Sequence, residues 1–261
     1  MKPSGIISLL TDFGTRDGYT GAMRGVILSI HPQAIIVDIS HDIPPQDIEA
    51  AGFLLEAHSK YFPRGTVHVA VVDPGVGTER RIILAKTADY YYLAPDNGLL
   101  TFLLGHPHVR FYEAANPDYW LPEVSTTFHG RDIFSPLAAH LARGEKLEKM
   151  FSPVQNIVTL EKPDAKKEGC SIIGRVIYVD RFGNMITNIK REWLPEQLER
   201  TEVIVQGQAI GPVMPNYASA ARGQLVATMG SFNRVEIAVN LGSALEYFNH
   251  ALPEEIVVKW C

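Results

Sequence analysis

Apolar residues along this chain recur with two different periods, and the change of period divides it. The runs GIISLLT (5–11), AIIVDIS (34–40) and TVHVAVVD (66–73) are short, apolar and rich in β-branched residues, as buried strands require. Between the first two, Met23, Val26, Ile27 and Ile30 fall at helical spacing, and DIEAAGFLLEAHSKYF (47–62) reads as a second helix. A Gly/Pro loop follows Asp73, then a strand RIILAKT (81–87), a turn APDNG (94–98) and a helix DIFSPLAAHLARG (132–144) with Gly144 beyond its end. Strand and helix in alternation predict an α/β fold with a largely parallel sheet covered by helices.

After residue 160 the pattern changes. LEKPDAKKEG (160–169) is polar, holds a Pro and a Gly, and reads as a linker. Six short strand-like segments follow: SIIGRVIYVD (171–180), MITNI (185–189), EVIVQG (202–207), QLVATMG (224–230), RVEIAVN (234–240) and EIVVKW (255–260). Turn residues separate them and few helical patterns intervene, which predicts a smaller antiparallel sandwich or barrel. The expected domains are 1–162, an N-terminal α/β domain, and 170–261, a C-terminal β domain.

Composition narrows the classes of function. With 46% hydrophobic and 20% charged residues the chain suits a globular protein, and 261 residues suffice for a sizeable core. A net charge of -5 without like-charge blocks gives no footprint for nucleic acid. The apolar runs are strand-sized and too short for a bilayer, and MKPSGIISLLTDFG lacks the pattern of a signal peptide. Two cysteines, Cys170 and Cys261, are expected to be ordinary thiols of a cytoplasmic protein.

The segment TDFGTRDGYTGAMRG (11–25) contains Asp-Phe-Gly, which in protein kinases carries a metal-holding aspartate. HGRD (129–132) adds to the likeness, but the two stand in the reverse of kinase order and no Gly-rich loop precedes them. Position gives a better account. Asp12 and Asp73 each follow the end of a predicted parallel strand, where open α/β sheets bind ligands. The loop after Asp73, DPGVGTER, has two glycines and a proline that let backbone approach a ligand closely. Asp12, Asp17, Asp38, Asp42, Asp73, His41 and His129 show no metal-binding spacing, so no metal is expected. No G-x-S-x-G elbow supports a serine hydrolase.

Taken together, TDFGTRDGYTGAMRG, ISHDIPPQDIEAAGFLL, VHVAVVDPGVGTERR, APDNGLL, TFHGRDIFSPLAAHLA and VDRFGNMITNI resemble the S-adenosylmethionine hydroxide adenosyltransferases, water-using relatives of the fluorinase and chlorinase enzymes. The likeness runs in order from about Leu9 to Asn240. It implies an N-terminal α/β domain joined to a C-terminal antiparallel β-barrel, and a homotrimer whose sites lie between neighbouring subunits. It implies a small-molecule substrate, S-adenosyl-L-methionine, cleaved by water at ribose C5′ to adenosine and L-methionine with no metal or organic cofactor. The family's Asp-Arg-His set matches Asp73, Arg80 and His129. Asp12 matches the aspartate that holds the ribose hydroxyls, and Phe128 lies beside the reacting carbon. Asp180 resembles the acid that meets the methionine ammonium, Phe182 and Asn184 resemble adenine contacts, and Tyr217 and Ser231 fall where an adenine-stacking aromatic and a carboxylate-binding serine stand.

Departures from the halogenases carry information. They have Tyr at the position of Asp73, and the fluorinase has Thr at Val76, Tyr-Ser at His129-Gly130, a tryptophan at Gln46 and Arg at Phe232. A buried carboxylate repels a halide and accepts a hydrogen bond from water, which places this sequence with the water users. Either Asp73 or His129 is the expected proton acceptor, with Arg80 keeping Asp73 ionised. The competing expectations are a non-catalytic binder of adenosine or S-adenosylmethionine, and a halide-using relative of the same fold.

Overall fold

The computed structural model of the chain describes residues 1–161 and 164–261. It divides into two compact units, Met1–Glu161 and Lys162–Cys261. In the first unit the strands are β1 (Ile6–Thr11), β2 (Ile35–Ser40), β3 (Val67–Val71), β4 (Ile82–Lys86), β5 (Tyr91–Pro95), β6 (Arg110–Ala114) and β7 (Phe151–Val154). They form one sheet in the order β2-β1-β3-β5-β4-β6-β7. Pairing is parallel from β2 to β5 and antiparallel from β5 to β7. The expected parallel sheet is therefore its first four strands. Only Thr87–Tyr90 separate β4 from β5, and a connection that short permits nothing but an antiparallel neighbour. The strands β5, β6 and β7 were not anticipated: YYLAP and FSPV each carry a proline, and RFYEA is only half-buried.

The longer helices on the sheet are α1 (Tyr19–Ile30), α2 (Ile48–Ser59) and α3 (Ser135–Ala142). Because side chains alternate along a strand, Ile7, Leu9, Val67, Val69 and Val71 share one face. That face packs against Met23 and Ile27 of α1 and Leu137, Ala138 and Leu141 of α3, with Phe134 fully buried among them. The other set, Ser8 and His68, faces the opposite way. There the His68 ring lies on Tyr92 at 5.1 Å and its Nδ1 meets Ser8 Oγ at 2.7 Å, while Tyr92 donates to Ser59 Oγ at the end of α2. Burial pushes the His68 pKa down to about 3, so this imidazole is a neutral core group. Asp47 caps α2 by accepting from the Ala50 N–H at 2.9 Å, and Glu49 in the first turn suits the helix dipole.

The second unit holds β8 (Lys166–Glu168), β9 (Ser171–Gly174), β10 (Val176–Val179), β11 (Met185–Lys190), β12 (Glu202–Val205), β13 (Gln208–Gly211), β14 (Val213–Met214), β15 (Leu225–Met229), β16 (Arg234–Val239) and β17 (Ile256–Lys259). Among the described residues they make two sheets, β10-β11-β16-β15-β14 and β13-β12-β17-β9-β8. All pairings are antiparallel except that of β14 with β15. Met185, Ile189, Val235 and Ile237 of the first sheet share one core with Ile172, Val203, Ile256 and Val258 of the second. Two stacked sheets around a common core are the outcome; no pairing among the described residues closes them into a barrel.

Three expectations change here. The run SIIGRVIYVD breaks at Gly174 into strands of different sheets. A side chain at Gly174 would meet Asn188 Oδ1 and Ile189 Cγ1 at 2.5 Å, and Asn188 Oδ1 accepts from the Arg175 N–H at 2.8 Å, so the chain turns tightly over β11. Of the expected linker 160–169, residues 162 and 163 lie outside the described residues, but Lys166–Glu168 is not linker at all. It pairs with β9, supplying backbone to the sheet edge while its side chains stay exposed. Cys170 and Cys261 are not thiols: they form a disulfide, with Cα atoms 5.7 Å apart and a separation of 91 in sequence. The antiparallel pairing of β9 with β17 sets Ser171 opposite Lys259 and so brings the flanking cysteines together. Among the described residues no helix is long and apolar enough to cross a membrane.

A cross-link over so long a stretch restricts the unfolded chain strongly. Cys170→Ser is expected to lower the stability of the second unit by about 2–4 kcal/mol, read from denaturant midpoints. Reductant should shift wild type to the same midpoint and leave the variant unmoved. Equal midpoints for oxidised wild type and variant would refute a stabilising bond.

Candidate active site

The strands β1 and β3 run parallel with Thr11 opposite Val71, so Asp12 and Asp73 emerge from the same carboxyl edge of the sheet. Asp73 is held in place by Arg80. Arg80 Nε donates to Asp73 Oδ1 at 3.0 Å and to Oδ2 at 2.9 Å, and Nη2 donates to Oδ2 at 2.5 Å. The two side chains are only 4% and 9% exposed, which makes this a desolvated ion pair. The intervening loop is folded on itself: Val76 N–H donates to Asp73 O, Thr78 Oγ1 to Gly75 O, and Arg80 N–H reaches Thr78 Oγ1. Gly77 has φ 80°, and a side chain there would strike the Thr126 carbonyl at 2.3 Å. Only glycine permits both that conformation and that approach.

The Thr126 segment leads to His129. Arg80 Nη2 also donates to His129 Nδ1 at 2.9 Å. Because a guanidinium only donates, Nδ1 must present its lone pair, and the imidazole carries its proton on Nε2. Burial, then the Arg80 charge, hold the His129 pKa below its ordinary value, against the opposite pull of Asp73, Asp132 and the Ser125 backbone. After His129 the chain makes a wide helical turn, Gly130–Phe134, in which Gly130 O accepts from both the backbone N–H and the hydroxyl of Ser135, five residues on. The expected helix 132–144 therefore begins with this widened turn before α3. Asp132, fully buried, fixes the approach by accepting from the Ser125 N–H at 2.8 Å and from Arg131. Its role was not foreseen; a lone acid between Arg131 and the apolar Ile133-Phe134 was the available signal.

Phe128, half-buried, meets Phe13 edge-on at 5.9 Å and Tyr19 at 5.1 Å, and the Arg131 guanidinium lies 5.1 Å from its ring centre. These rings form an aromatic wall close to His129, and a side chain at Gly130 would run into Phe13 at 3.2 Å. Asp12 Oδ2 accepts from the Gln46 N–H at 2.9 Å. Gln46 has φ 65°, a left-handed conformation uncommon for a residue with a side chain, at the entry to α2. Thus Gln46, singled out above as a departure, orients Asp12 through its backbone.

The remaining expected residues lie in the second unit. Asp180 Oδ1 accepts from the N–H groups of Phe182 and Asn184, each at 2.9 Å, and Oδ2 accepts from Asn184 Nδ2 at 3.0 Å. Asp180 therefore shapes the turn between β10 and β11, while Phe182 projects from it 74% exposed. Gly183 in that turn has φ 80° and abuts Ser243. Tyr217 is exposed on one side and donates from its hydroxyl to Glu236 Oε1 at 2.7 Å. Ser231 is exposed in the turn between β15 and β16. Glu236 was missed, although an acid inside the apolar run RVEIAV is the mark of a buried carboxyl.

An α/β unit with an ion pair and a neutral histidine gathered beyond the end of β3, followed by a unit of two stacked β-sheets with its own exposed aromatic turn, defines a two-domain enzyme architecture. The chain belongs to the SAM hydroxide adenosyltransferase family, matching its N-terminal domain over residues 7–151 and its C-terminal domain over residues 174–257. It is 40% identical over 259 residues to the (R)-S-adenosyl-L-methionine hydrolase of Thermus thermophilus, covering 94% of this chain and 95% of that protein. It is 29% identical to the fluorinase of Nocardia brasiliensis, covering 97% and 96% respectively. The crystal structure of an uncharacterized conserved protein from Thermotoga maritima superposes with a TM-score of 0.90 at 36% identity, covering 97% of this chain and 99% of that one.

The Arg80 contact makes a prediction about His129. Its nitrogen resonances should show a neutral Nε2–H ring at pH 7 and charge only as pH falls below the usual histidine range. In Arg80→Ala the donor to Nδ1 and the repelling charge both vanish, and the pKa should rise. An imidazole charged at pH 7 in the wild type would contradict the geometry.

Proposed function

We propose that the chain hydrolyses S-adenosyl-L-methionine, water attacking ribose C5′ as the C–S bond breaks to give adenosine, L-methionine and one proton. The observation that carries this reading is the Asp73–Arg80 ion pair, withdrawn from water and bonded to His129, in a family member whose relatives include hydrolases of this substrate. The trio suits water better than a halide. Asp73 Oδ2 accepts from both Nε and Nη2 of Arg80, whereas Oδ1 accepts from Nε alone and keeps a lone pair for a further donor. Water donates to such acceptors; a halide ion has nothing to donate.

In this reading Asp73 both orients the water and takes its proton. His129 Nδ1 is already an acceptor for Arg80, which leaves His129 as a donor through Nε2 rather than a base. A carboxylate is basic enough, because water becomes strongly acidic as its oxygen bonds to carbon. The sulfonium is a good leaving group without protonation, and its charge disperses as the bond breaks, so the aromatic wall of Phe128, Phe13 and Tyr19 suits that end of the reaction. Asp12 would grip the ribose hydroxyls. Asp180, Phe182, Asn184, Tyr217 and Ser231 would receive the methionine and adenine ends. The names of the relatives specify the R configuration, and we extend that preference at sulfur to this chain. No metal or organic cofactor takes part in the proposed reaction, and we propose a homotrimer acting in the cytoplasm.

Purified protein incubated with each sulfur epimer, with and without chloride or fluoride, tests the reading by chromatography. Adenosine formed independently of halide and after dialysis against EDTA is the expected result. A halogenated nucleoside would instead make the chain a halogenase, and bound substrate without turnover would make it a binder.

Asp73→Asn is expected to cut kcat by roughly 10²-fold or more while changing substrate affinity only a few fold. Asp12→Ala should mainly weaken binding, because its contact exists before and during reaction alike. Normal turnover in Asp73→Asn would remove Asp73 from the chemistry.

A further inference from the structure

Within the second unit, one buried group has no place in the roles set out above. Glu236 sits on the central strand β16, opposite Thr228 of β15 and Ile186 of β11, and is 4% exposed. An acid buried on a central strand costs stability unless its oxygens are used. One of them is: Glu236 Oε1 accepts the Tyr217 hydroxyl at 2.7 Å. Room for the other comes from Gly230, where a side chain would lie 2.2 Å from Glu236 Oε2. The turn between β15 and β16 thus leaves space for this carboxyl at Gly230.

Tyr217 itself has little else to fix it. It opens a single short helical turn, Tyr217–Ser219, and is 43% exposed. An exposed tyrosine on such a turn samples several rotamers, and each one lost on binding costs free energy. A hydrogen bond from its far end to a buried strand carboxyl removes that freedom before any ligand arrives.

We infer that Glu236 is a positioning residue that locks the Tyr217 ring in the plane needed to stack a nucleoside base, setting affinity for the adenosine end of the substrate. The inference rests on the adenine-contact role proposed for Tyr217. Burial and the neighbouring Asp180 charge push the Glu236 pKa up, while the Tyr217 hydroxyl pulls it down. The bond forms with either state of the acid, since both retain a lone pair at Oε1.

Adenosine binding by calorimetry, together with kinetics on S-adenosylmethionine, tests this. Tyr217→Phe and Glu236→Ala should each weaken adenosine binding about tenfold, the scale of one lost hydrogen bond, and raise KM more than they lower kcat. The double variant should bind no worse than the weaker single one, because both remove the same bond. Glu236→Gln, which keeps the acceptor, should recover most of the affinity lost in Glu236→Ala. Should Glu236→Ala fail to fold, Tyr217→Phe with and without Glu236→Gln carries the comparison. Wild-type affinity in folded Tyr217→Phe, or losses that multiply in the double variant, would overturn the inference, as would a wild type that binds no adenosine. Adenosine binding that follows this pattern without turnover of S-adenosylmethionine would sink the hydrolase reading and leave the Glu236 assignment standing.

Discussion

A carboxylate and a guanidinium withdrawn from water together, Asp73 and Arg80, impose conditions on much of the first unit. Removing either charge from water costs several kcal/mol, offset only by close contact and by further hydrogen bonds. Arg80 supplies that contact through two nitrogens on one carboxylate. The two residues stand only seven apart, so the chain between them must reverse within a tight loop. Gly75, Gly77 and Thr78 accomplish this, and the left-handed Gly77 lies against the Thr126 carbonyl. That approach draws in the segment carrying Phe128 and His129, which buried Asp132 holds through Ser125. One ion pair thus connects the end of β3, a glycine loop and the start of α3.

The consequence for chemistry lies in which groups still have hydrogen-bonding capacity. Arg80 faces Asp73 and His129, and His129 has its Nδ1 lone pair occupied, so the acceptor capacity that remains lies on Asp73 while His129 offers only its Nε2–H. A chain 29% identical to a fluorinase carries a carboxylate at this strand end, and on a shared scaffold function is argued from the site. The aromatic group of Phe13, Tyr19 and Phe128 is compatible with either chemistry, because both would break the same kind of bond.

In the second unit, the residues expected to touch substrate are first of all builders of their own turns. Asp180 organises the backbone of Phe182 and Asn184 with both oxygens, and Glu236 fastens Tyr217. Hydrogen bonds already made before any ligand binds lower the entropy lost on association. The same economy places the disulfide between β9 and β17, where sheet pairing has already made the neighbours.

The sequence by itself determined the alternation of strands and helices up to residue 73, the change to short strands after residue 170, and the strand-end positions of Asp12 and Asp73. These are local properties: burial on one face leaves a period, and a chain turning at a strand end leaves Asp, Gly and Pro. The motif likeness added Arg80 and His129. Strands β5 to β7 escaped notice because their prolines and polar positions blur the period, and β8 because an edge strand needs only backbone. Tertiary structure alone decided that Cys170 meets Cys261, that SIIGRVIYVD serves two sheets, that Arg80 holds His129 as a neutral donor, and that Glu236 fastens Tyr217. Each of these depends on which distant residues the folded chain makes neighbours, and a hydrogen bond across 49 residues or a bridge across 91 leaves no periodic trace in the sequence.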